Sequence, residues 1–201
     1  MADRIQPGKI LRVLHVGVGN RGRWLLQKCA EQTGLQPTLL CDVSRENLNT
    51  AAALAGLGPE ACFEDLDAAL ARAKGSIDCV IACTPTITHV AIAERAIEAG
   101  LPILIEKGMA PDWSSARKLA RLVADRSAKV CVAQNYRYNP VEQTIRAAIA
   151  QPNHPAHPGQ PHLVVYNQNR VRPFPRTLNY PFASVWDMSC HHFDTMMHWL
   201  G

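Results

Sequence analysis

The chain has 201 residues, enough for one full domain and part of a second. Hydrophobic residues make up 47% of it and charged residues 19%, as in a soluble globular protein. The net charge of +4 is spread along the chain, which argues against a nucleic-acid or membrane-surface protein. Residues 1–9 lack the apolar stretch of a signal peptide, and no run reaches membrane-spanning length, so we expect a cytoplasmic protein.

Cysteine usage indicates the same compartment. The seven cysteines are odd in number, show no C-x-x-C spacing and fall mostly in apolar runs. We therefore expect reduced, mainly buried thiols rather than a disulfide framework.

A glycine-rich turn follows the first predicted strand, residues 10–16. The segment reads V-L-H-V-G-V-G-N-R-G and contains Gly17, Gly19 and Gly22 in the pattern G-x-G-x-x-G. The first glycine permits a tight turn, the second lets the backbone approach a pyrophosphate, and the third lets the next helix pack against the strand. The predicted helix over 21–31 would then offer its first N–H groups and its positive dipole end to phosphates.

A second apolar run, 37–41, ends at Asp42, 20 residues past Gly22. A carboxylate at this position can accept hydrogen bonds from both ribose hydroxyls. Strand, helix, strand and acid together predict dinucleotide binding, with a methyltransferase as the alternative because it also uses a glycine-rich turn and a later acid. Asp42 favours NAD as the cofactor because its carboxylate would repel a 2′-phosphate. Arg45 leaves NADP possible, because an arginine can pair with that phosphate.

The following segments alternate helix and strand, which predicts a Rossmann-type, doubly wound parallel sheet covered on both faces. Helices are predicted over 46–55, 64–73, 89–99 and 114–127, and strands over 77–83, 102–105 and 129–133. Ser44 is the expected N-cap of the helix over 46–55. We assign residues 1–135 to a dinucleotide-binding domain and residues 136–201 to the beginning of a substrate and oligomerisation domain.

The character of the chain changes after residue 150. Four prolines spaced by three predict an extended surface connection over 151–162, and its histidines are interpreted as loop residues rather than metal ligands. Alternating side chains over 163–169 predict a strand of an antiparallel sheet, and 187–200 is predicted as a helix. The second part thus reads as the start of an α+β domain.

Two candidate sites follow predicted parallel strands, whose carboxyl ends bind ligands in α/β sheets. Thr84 and Pro85 can shape the floor of the cofactor site, and His89 either reaches a ribose or substrate hydroxyl or only begins a helix. Glu106 and Lys107 follow the next strand. A lysine there can donate to a substrate hydroxyl or hold a developing alkoxide, although it can also be a solvated charge.

A third candidate lies in the segment W-D-M-S-C-H-H-F-D. On a helix, Asp187, His191 and Asp194 share one face. A histidine between two carboxylates suits general acid–base chemistry, because the carboxylates can orient the ring and raise its basicity. The same spacing leaves open a metal site and a plain salt-bridge set.

These motifs together resemble the glucose-fructose oxidoreductase, inositol dehydrogenase and MocA-like (Gfo/Idh/MocA) family of oxidoreductases. The resemblance rests on H-V-G-V-G-N-R-G, C-D-V-S-R, T-P-T-I-T-H, E-A-G-L-P-I-L-I-E-K-G, Q-N-Y-R-Y-N-P and W-D-M-S-C-H-H-F-D, in this order from about Lys9 to Gly201. It implies a catalytic set of Lys107, Asp187 and His191 and no metal. The residues expected at the cofactor are Gly17, Gly19, Asn20, Arg21, Gly22, Asp42, Arg45, Thr84, Pro85, His89 and Glu106.

The resemblance also implies a reaction. Family members oxidise a sugar or polyol hydroxyl, or reduce the carbonyl, with NAD or NADP. His191 is then expected to act as the base, Asp187 to orient it, and Lys107 to polarise the substrate oxygen. We expect a small-molecule substrate, no nucleic acid or membrane partner, and a homo-oligomer.

The sequence departs from the family pattern in three ways. Gly108 replaces the proline expected after Lys107, and residues 181–184 read P-F-A-S where a glycine-rich turn is usual. The antiparallel sheet of the family's C-terminal domain is truncated, so the chain is either a fragment or a short form that pairs its strand edges with another chain. The alternative function is therefore a non-catalytic NAD(P)-binding regulatory protein or an inactive truncated relative.

Overall fold

The structure is a computed structural model that describes residues 9–32, 34–165, 167 and 189–201. The chain divides into two compact units, Met1–Val132 and Ala133–Gly201. None of the described helices is long and apolar enough to cross a membrane.

The first unit contains a parallel sheet of six strands in the order β3-β2-β1-β4-β5-β6. The strands are β1 (Leu11–Val16), β2 (Leu35–Cys41), β3 (Cys62–Phe63), β4 (Cys79–Ala82), β5 (Ile103–Ile105) and β6 (Val130–Val132). The strand order reverses between β1 and β4, which creates the switch point where doubly wound sheets bind ligands. The predicted Rossmann-type sheet is confirmed.

The helices of the first unit are α1 (Asn20–Ala30), α2 (Arg45–Ala55), α3 (Leu66–Ala73), α4 (His89–Glu98) and α5 (Trp113–Arg126). Ser44 caps α2 as predicted, because its Oγ accepts a hydrogen bond from the Asn47 N–H at 3.3 Å. Gly56 ends the same helix in the left-handed conformation, with φ +65°. The five helices predicted in this unit are confirmed to within a few residues.

Alternate strand residues fill the larger core of the first unit. One set of side chains, from β1, β4 and β5, packs against the small residues of α4 and α5. This set comprises Leu14, Val16, Val80, Ala82, Ile103 and Ile105. A second cluster joins Leu40 of β2 to Leu26 of α1 and Leu48 of α2. The cluster also contains Val18 of the glycine turn, so α1 and α2 pack together beside the predicted cofactor turn.

The second unit contains α6 (Pro140–Ala150) and α7 (Cys190–Leu200). The predicted helix over 187–200 is confirmed for α7, while Asp187 lies outside the described residues. The predicted strand over 163–169 is wrong for Leu163–Val165 and Asn167, which lie in no strand. A strand needs a partner to bond its backbone groups, and Leu163 and Val165 are instead exposed. Tyr166, Gln168 and Asn169 lie outside the described residues.

The seven cysteines are all free thiols. The expectation that most are buried is wrong, because only Cys29 and Cys41 are buried and Cys131 is exposed. Cys131 lies between two valines of β6 that pack against the larger core, so its own side chain lies on the opposite face of the strand.

His15 is an ionisable side chain in the middle of the sheet, opposite Leu40 on β2 and Ile81 on β4. It is 1% exposed, and its Nε2 has no hydrogen-bond partner within the described part of the chain. Burial lowers the pKa of His15 from 6.5 to about 4, because the charged ring loses its hydration. The neutral ring is therefore the form that the fold accommodates.

We expect His15 to make the fold sensitive to acid. Between pH 6.5 and pH 4 the unfolded chain takes up a proton at this residue and the folded chain does not. Stability is therefore complete above pH 6.5 and falls as the pH drops toward 4, by roughly 3 kcal/mol from this residue. His15→Leu should remove this part of the pH dependence, as measured by urea unfolding across the window. The control is His162→Leu, at an exposed position; equal acid sensitivity of H15L and the wild type would contradict the prediction.

Candidate cofactor and catalytic site

The turn after β1 is held in contact with the ends of β2 and β4. Gly17 has φ +80°, a conformation that disfavours side chains. A Cβ there would lie 2.8 Å from the carbonyl oxygen of Cys83, which follows β4. The Gly17 N–H also donates to the Cys41 carbonyl at 2.7 Å. This position therefore requires glycine for both conformation and space.

The other two glycines of the pattern have different surroundings. A Cβ on Gly22 would lie 1.9 Å from the Gly17 carbonyl oxygen, so this glycine allows α1 to pack directly on the turn. A Cβ on Gly19 would meet only Asn47 Nδ2, at 3.8 Å. Gly19 is the N-cap of α1, and no side chain caps that helix end. The space beside Gly19 and the first N–H groups of α1 suit a bound anion.

Asp42 is fixed by three hydrogen bonds at the end of β2. Its Oδ2 accepts from the Val18 N–H at 2.7 Å, inside the glycine turn. Its Oδ1 accepts from the Ser44 N–H at 2.9 Å and from Asn47 Nδ2 at 3.2 Å. The carboxylate is thus oriented by the same turn that the glycines form and by the start of α2.

A cavity of about 540 Å³ opens at this edge of the sheet. Gly17, Gly19 and Asp42 line it on one side, and Thr84 and Pro85, which follow β4, line it on the other. The structure therefore brings together three of the predicted features, namely the glycine turn, the acid and the Thr84-Pro85 segment. Glycine spacing and strand ends do not reveal the remaining wall, which includes Asn47, Glu64, Leu66, Thr88 and Ile92.

Arg21 and Asn20, at the start of α1, bind other side chains. The Arg21 Nε donates to Glu106 Oε1 at 2.6 Å, and its guanidinium lies 4.3 Å from the centre of the Trp24 ring. The Asn20 Oδ1 accepts from Arg23 at 2.7 Å. In this arrangement Arg21 links α1 to the end of β5 rather than pointing a free charge at a phosphate.

Glu106 and Lys107 lie at the carboxyl end of β5, as predicted. Glu106 is only 7% exposed, and its second carboxylate oxygen accepts from the Lys107 N–H at 2.9 Å. Together with the Arg21 ion pair, this bond fixes the backbone from which the Lys107 side chain extends. Lys107 itself is half-buried. The buried carboxylate therefore acts as a structural support for the lysine.

His89 has no exposed surface. Its Nδ1 lies 2.7 Å from the Gly108 carbonyl oxygen and its Nε2 lies 2.9 Å from the Thr84 carbonyl oxygen. Burial lowers the pKa of His89, while its hydrogen bonds to these two carbonyl oxygens oppose that shift. The structure thus corrects the expectation that His89 reaches a ribose or substrate hydroxyl. It ties the segment after β4 to the segment that carries Lys107.

Arg45 follows the N-cap of α2. Both its Nε and its Nη2 contact Glu64 Oε1, and the two side chains are about half exposed. Arg45 does not line the cavity, although Glu64 does. Arg45, whose presence leaves NADP possible as the cofactor, is therefore already paired with a carboxylate.

The second unit holds the His191 ring against an aromatic side chain. The His191 ring on α7 stacks on Tyr136, with ring centres 4.5 Å apart and planes inclined by 9°. Asp194 accepts two hydrogen bonds at 2.6 Å from Arg137. Asp194 is thus an ion-pair partner of Arg137. Asp187 lies outside the described residues.

Comparison with known proteins identifies the family to which this chain belongs. Residues 11–134 match the family described as "Oxidoreductase family, NAD-binding Rossmann fold". UDP-N-acetylglucosamine 3-dehydrogenase from Acidithiobacillus ferrooxidans is 35% identical over 133 residues, which cover 66% of this chain and 40% of the relative. Inositol 2-dehydrogenase from Rhizobium meliloti is 39% identical over 78 residues, 39% of this chain and 24% of the relative.

A solved structure has the same fold. The scyllo-inositol dehydrogenase from Lactobacillus casei, with bound NAD(H) and scyllo-inositol, gives a TM-score of 0.66 at 21% identity. The similarity covers 72% of this chain and 42% of that one. The chain therefore spans less than half the length of these relatives. The family match overturns the methyltransferase alternative, and the chain belongs to the Gfo/Idh/MocA family of oxidoreductases with an NAD-binding Rossmann fold.

Proposed function

We propose that this protein binds NAD and transfers a hydride between the cofactor and a hydroxyl-bearing carbon of a sugar or polyol. The observation that carries the proposal is the Asp42 carboxylate, which the Val18 N–H holds beside the glycine turn at the mouth of the cavity. An oriented carboxylate at the end of the second strand is suited to a ribose diol.

The residues around the cavity fit a dinucleotide. The uncapped start of α1 offers N–H groups to a pyrophosphate, and the space at Gly19 allows it to approach the backbone. Asp42 would accept hydrogen bonds from the adenosine ribose. Thr84 and Pro85 would contact the cofactor along the opposite wall. When bound, the nicotinamide ring accepts or returns the hydride.

Lys107 and His191 are the proposed proton-handling groups. Lys107 would donate to the substrate oxygen and stabilise its negative charge as the hydroxyl ionises. His191 would take the hydroxyl proton, and the Tyr136 ring stacked on it would restrict the rotation of the imidazole. Asp187 keeps the orienting role that the family resemblance implies. In the reverse direction the same groups would return the proton to the carbonyl oxygen.

The substrate class is proposed from the relatives. The two relatives described above are named for UDP-N-acetylglucosamine and inositol, and the similar solved structure holds scyllo-inositol. All three molecules carry ring hydroxyl groups. We therefore propose a cyclic sugar or polyol as the substrate of this chain.

A cytoplasmic location and a homo-oligomeric state are further parts of the proposal. The seven free thiols favour a reducing compartment. The exposed apolar side chains Leu163 and Val165 favour association with another copy, because such surface is costly in water.

We expect Gly19→Ala to weaken cofactor binding without affecting the fold. The added methyl group meets only Asn47 Nδ2 at 3.8 Å, but it occupies the space through which a pyrophosphate would approach. NADH affinity should fall roughly tenfold or more, and the thermal unfolding midpoint should stay that of the wild type. Gly34→Ala is the control, since nothing lies within 4 Å of its Cβ. If G19A bound NADH with the affinity of the wild type, this turn would not be the phosphate site.

We expect Lys107→Met and His191→Asn to lose turnover while keeping NADH affinity. Each variant removes one proton-handling group, which should lower the rate roughly 100-fold or more. The assay follows NADH formation with myo-inositol, scyllo-inositol and UDP-N-acetylglucosamine, with the exposed Lys74→Met as control.

The same assay separates the enzyme from its alternative. Turnover by the wild type that both variants lose would support the proposal. Full activity in H191N would reject His191 as the base. Tight NADH binding with no wild-type turnover of any such substrate would instead indicate a non-catalytic NAD-binding protein.

A further inference from the structure

The charge of the cavity wall points to a feature of cofactor choice. Among the described residues that line the cavity, Asp42 and Glu64 carry the charge, and both are acidic. The Asp42 N–H donates to the Phe63 carbonyl at 3.1 Å, so the ends of β2 and β3 lie side by side. Glu64 is therefore placed next to the ribose-binding carboxylate by strand pairing.

Glu64 is also paired with Arg45, which is the first basic residue after Asp42 in the sequence. Arg45 contacts Glu64 Oε1 through both Nε and Nη2, and this pairing crosses from the start of α2 to the end of β3. A guanidinium near the end of the second strand is the group that would recognise a 2′-phosphate. In this structure that guanidinium is neutralised by a carboxylate of the cavity wall.

We propose that Glu64 is a specificity residue that favours NAD over NADP by holding Arg45 away from the position of a 2′-phosphate. The inference rests on the cofactor binding proposed above. NAD carries a neutral hydroxyl at this position and does not need Arg45. NADP would have to draw Arg45 away from Glu64 before that guanidinium could pair with the 2′-phosphate.

The exposure of the pair sets the size of the effect. The Arg45 and Glu64 side chains are 55% and 48% exposed, so water and salt screen their attraction. The discrimination due to Glu64 should therefore be roughly three- to tenfold rather than absolute. It should also decrease as the salt concentration rises.

The test is a fluorescence titration of the 201-residue chain with NADH and, separately, with NADPH. Glu64→Gln should raise the affinity for NADPH by roughly three- to tenfold, and the affinity for NADH should stay nearly unchanged. Glu46→Gln is the matched control, because Glu46 is an exposed carboxylate in the first turn of the helix that begins with Arg45. It changes the net charge equally without removing the partner of Arg45.

The same substitution in an Arg45→Met chain identifies the cause of the gain in NADPH affinity. If the gain comes from releasing Arg45, Glu64→Gln should give no gain in NADPH affinity in a chain that already carries Arg45→Met. An equal gain in both backgrounds, or an unchanged NADPH to NADH ratio in E64Q, would overturn the inference while leaving NAD binding intact. Absence of saturable binding of either cofactor to the wild type would remove both the proposed function and this inference.

Discussion

The close approach of α1 to the turn after β1 is the contact on which the cofactor edge of the sheet depends. No side chain fits at Gly22, because its Cβ would lie 1.9 Å from the Gly17 carbonyl oxygen. With this packing, the Val18 N–H donates a hydrogen bond to the Asp42 carboxylate. The same carboxylate also accepts a hydrogen bond from the Ser44 N–H at the start of α2. One backbone arrangement thus places a helix end, a carboxylate and a second helix around the same cavity.

A second set of buried groups fixes the end of β5. His89 lies between the carbonyl oxygens of Thr84 and Gly108, and Glu106 accepts hydrogen bonds from Arg21 and the Lys107 N–H. Several residues that the motifs suggest as ligand contacts therefore act as ties between strand ends. Buried polar groups are usually hydrogen-bonded, and these bonds fix the backbone at Lys107.

The sequence predicts those features that the backbone imposes locally. Three such features could be predicted, because each needs particular residue types at fixed spacing. They are the glycine turn, Asp42 and the alternation of strands and helices. The pairing of Arg45 with Glu64 could not be predicted, since it depends on β3, a strand of only two residues. Helix α6 was missed although Pro140 at its first position and Glu142 in its first turn are start signals. The strand predicted over 163–169 is wrong at residues 163–165 and 167, because alternation cannot supply a partner strand.

The proposed cofactor recognition and the proposed hydride chemistry rest on different kinds of structure in this chain. The proposed recognition uses backbone N–H groups, glycine positions and one oriented carboxylate, all within the first unit. The proposed chemistry uses the side chains of Lys107 and His191. Binding is therefore expected to persist when proton transfer is lost, because the hydrogen bonds that hold Asp42 come from Val18, Ser44 and Asn47. Cofactor affinity alone consequently says little about turnover, and the two properties must be measured separately to assign this protein as an enzyme.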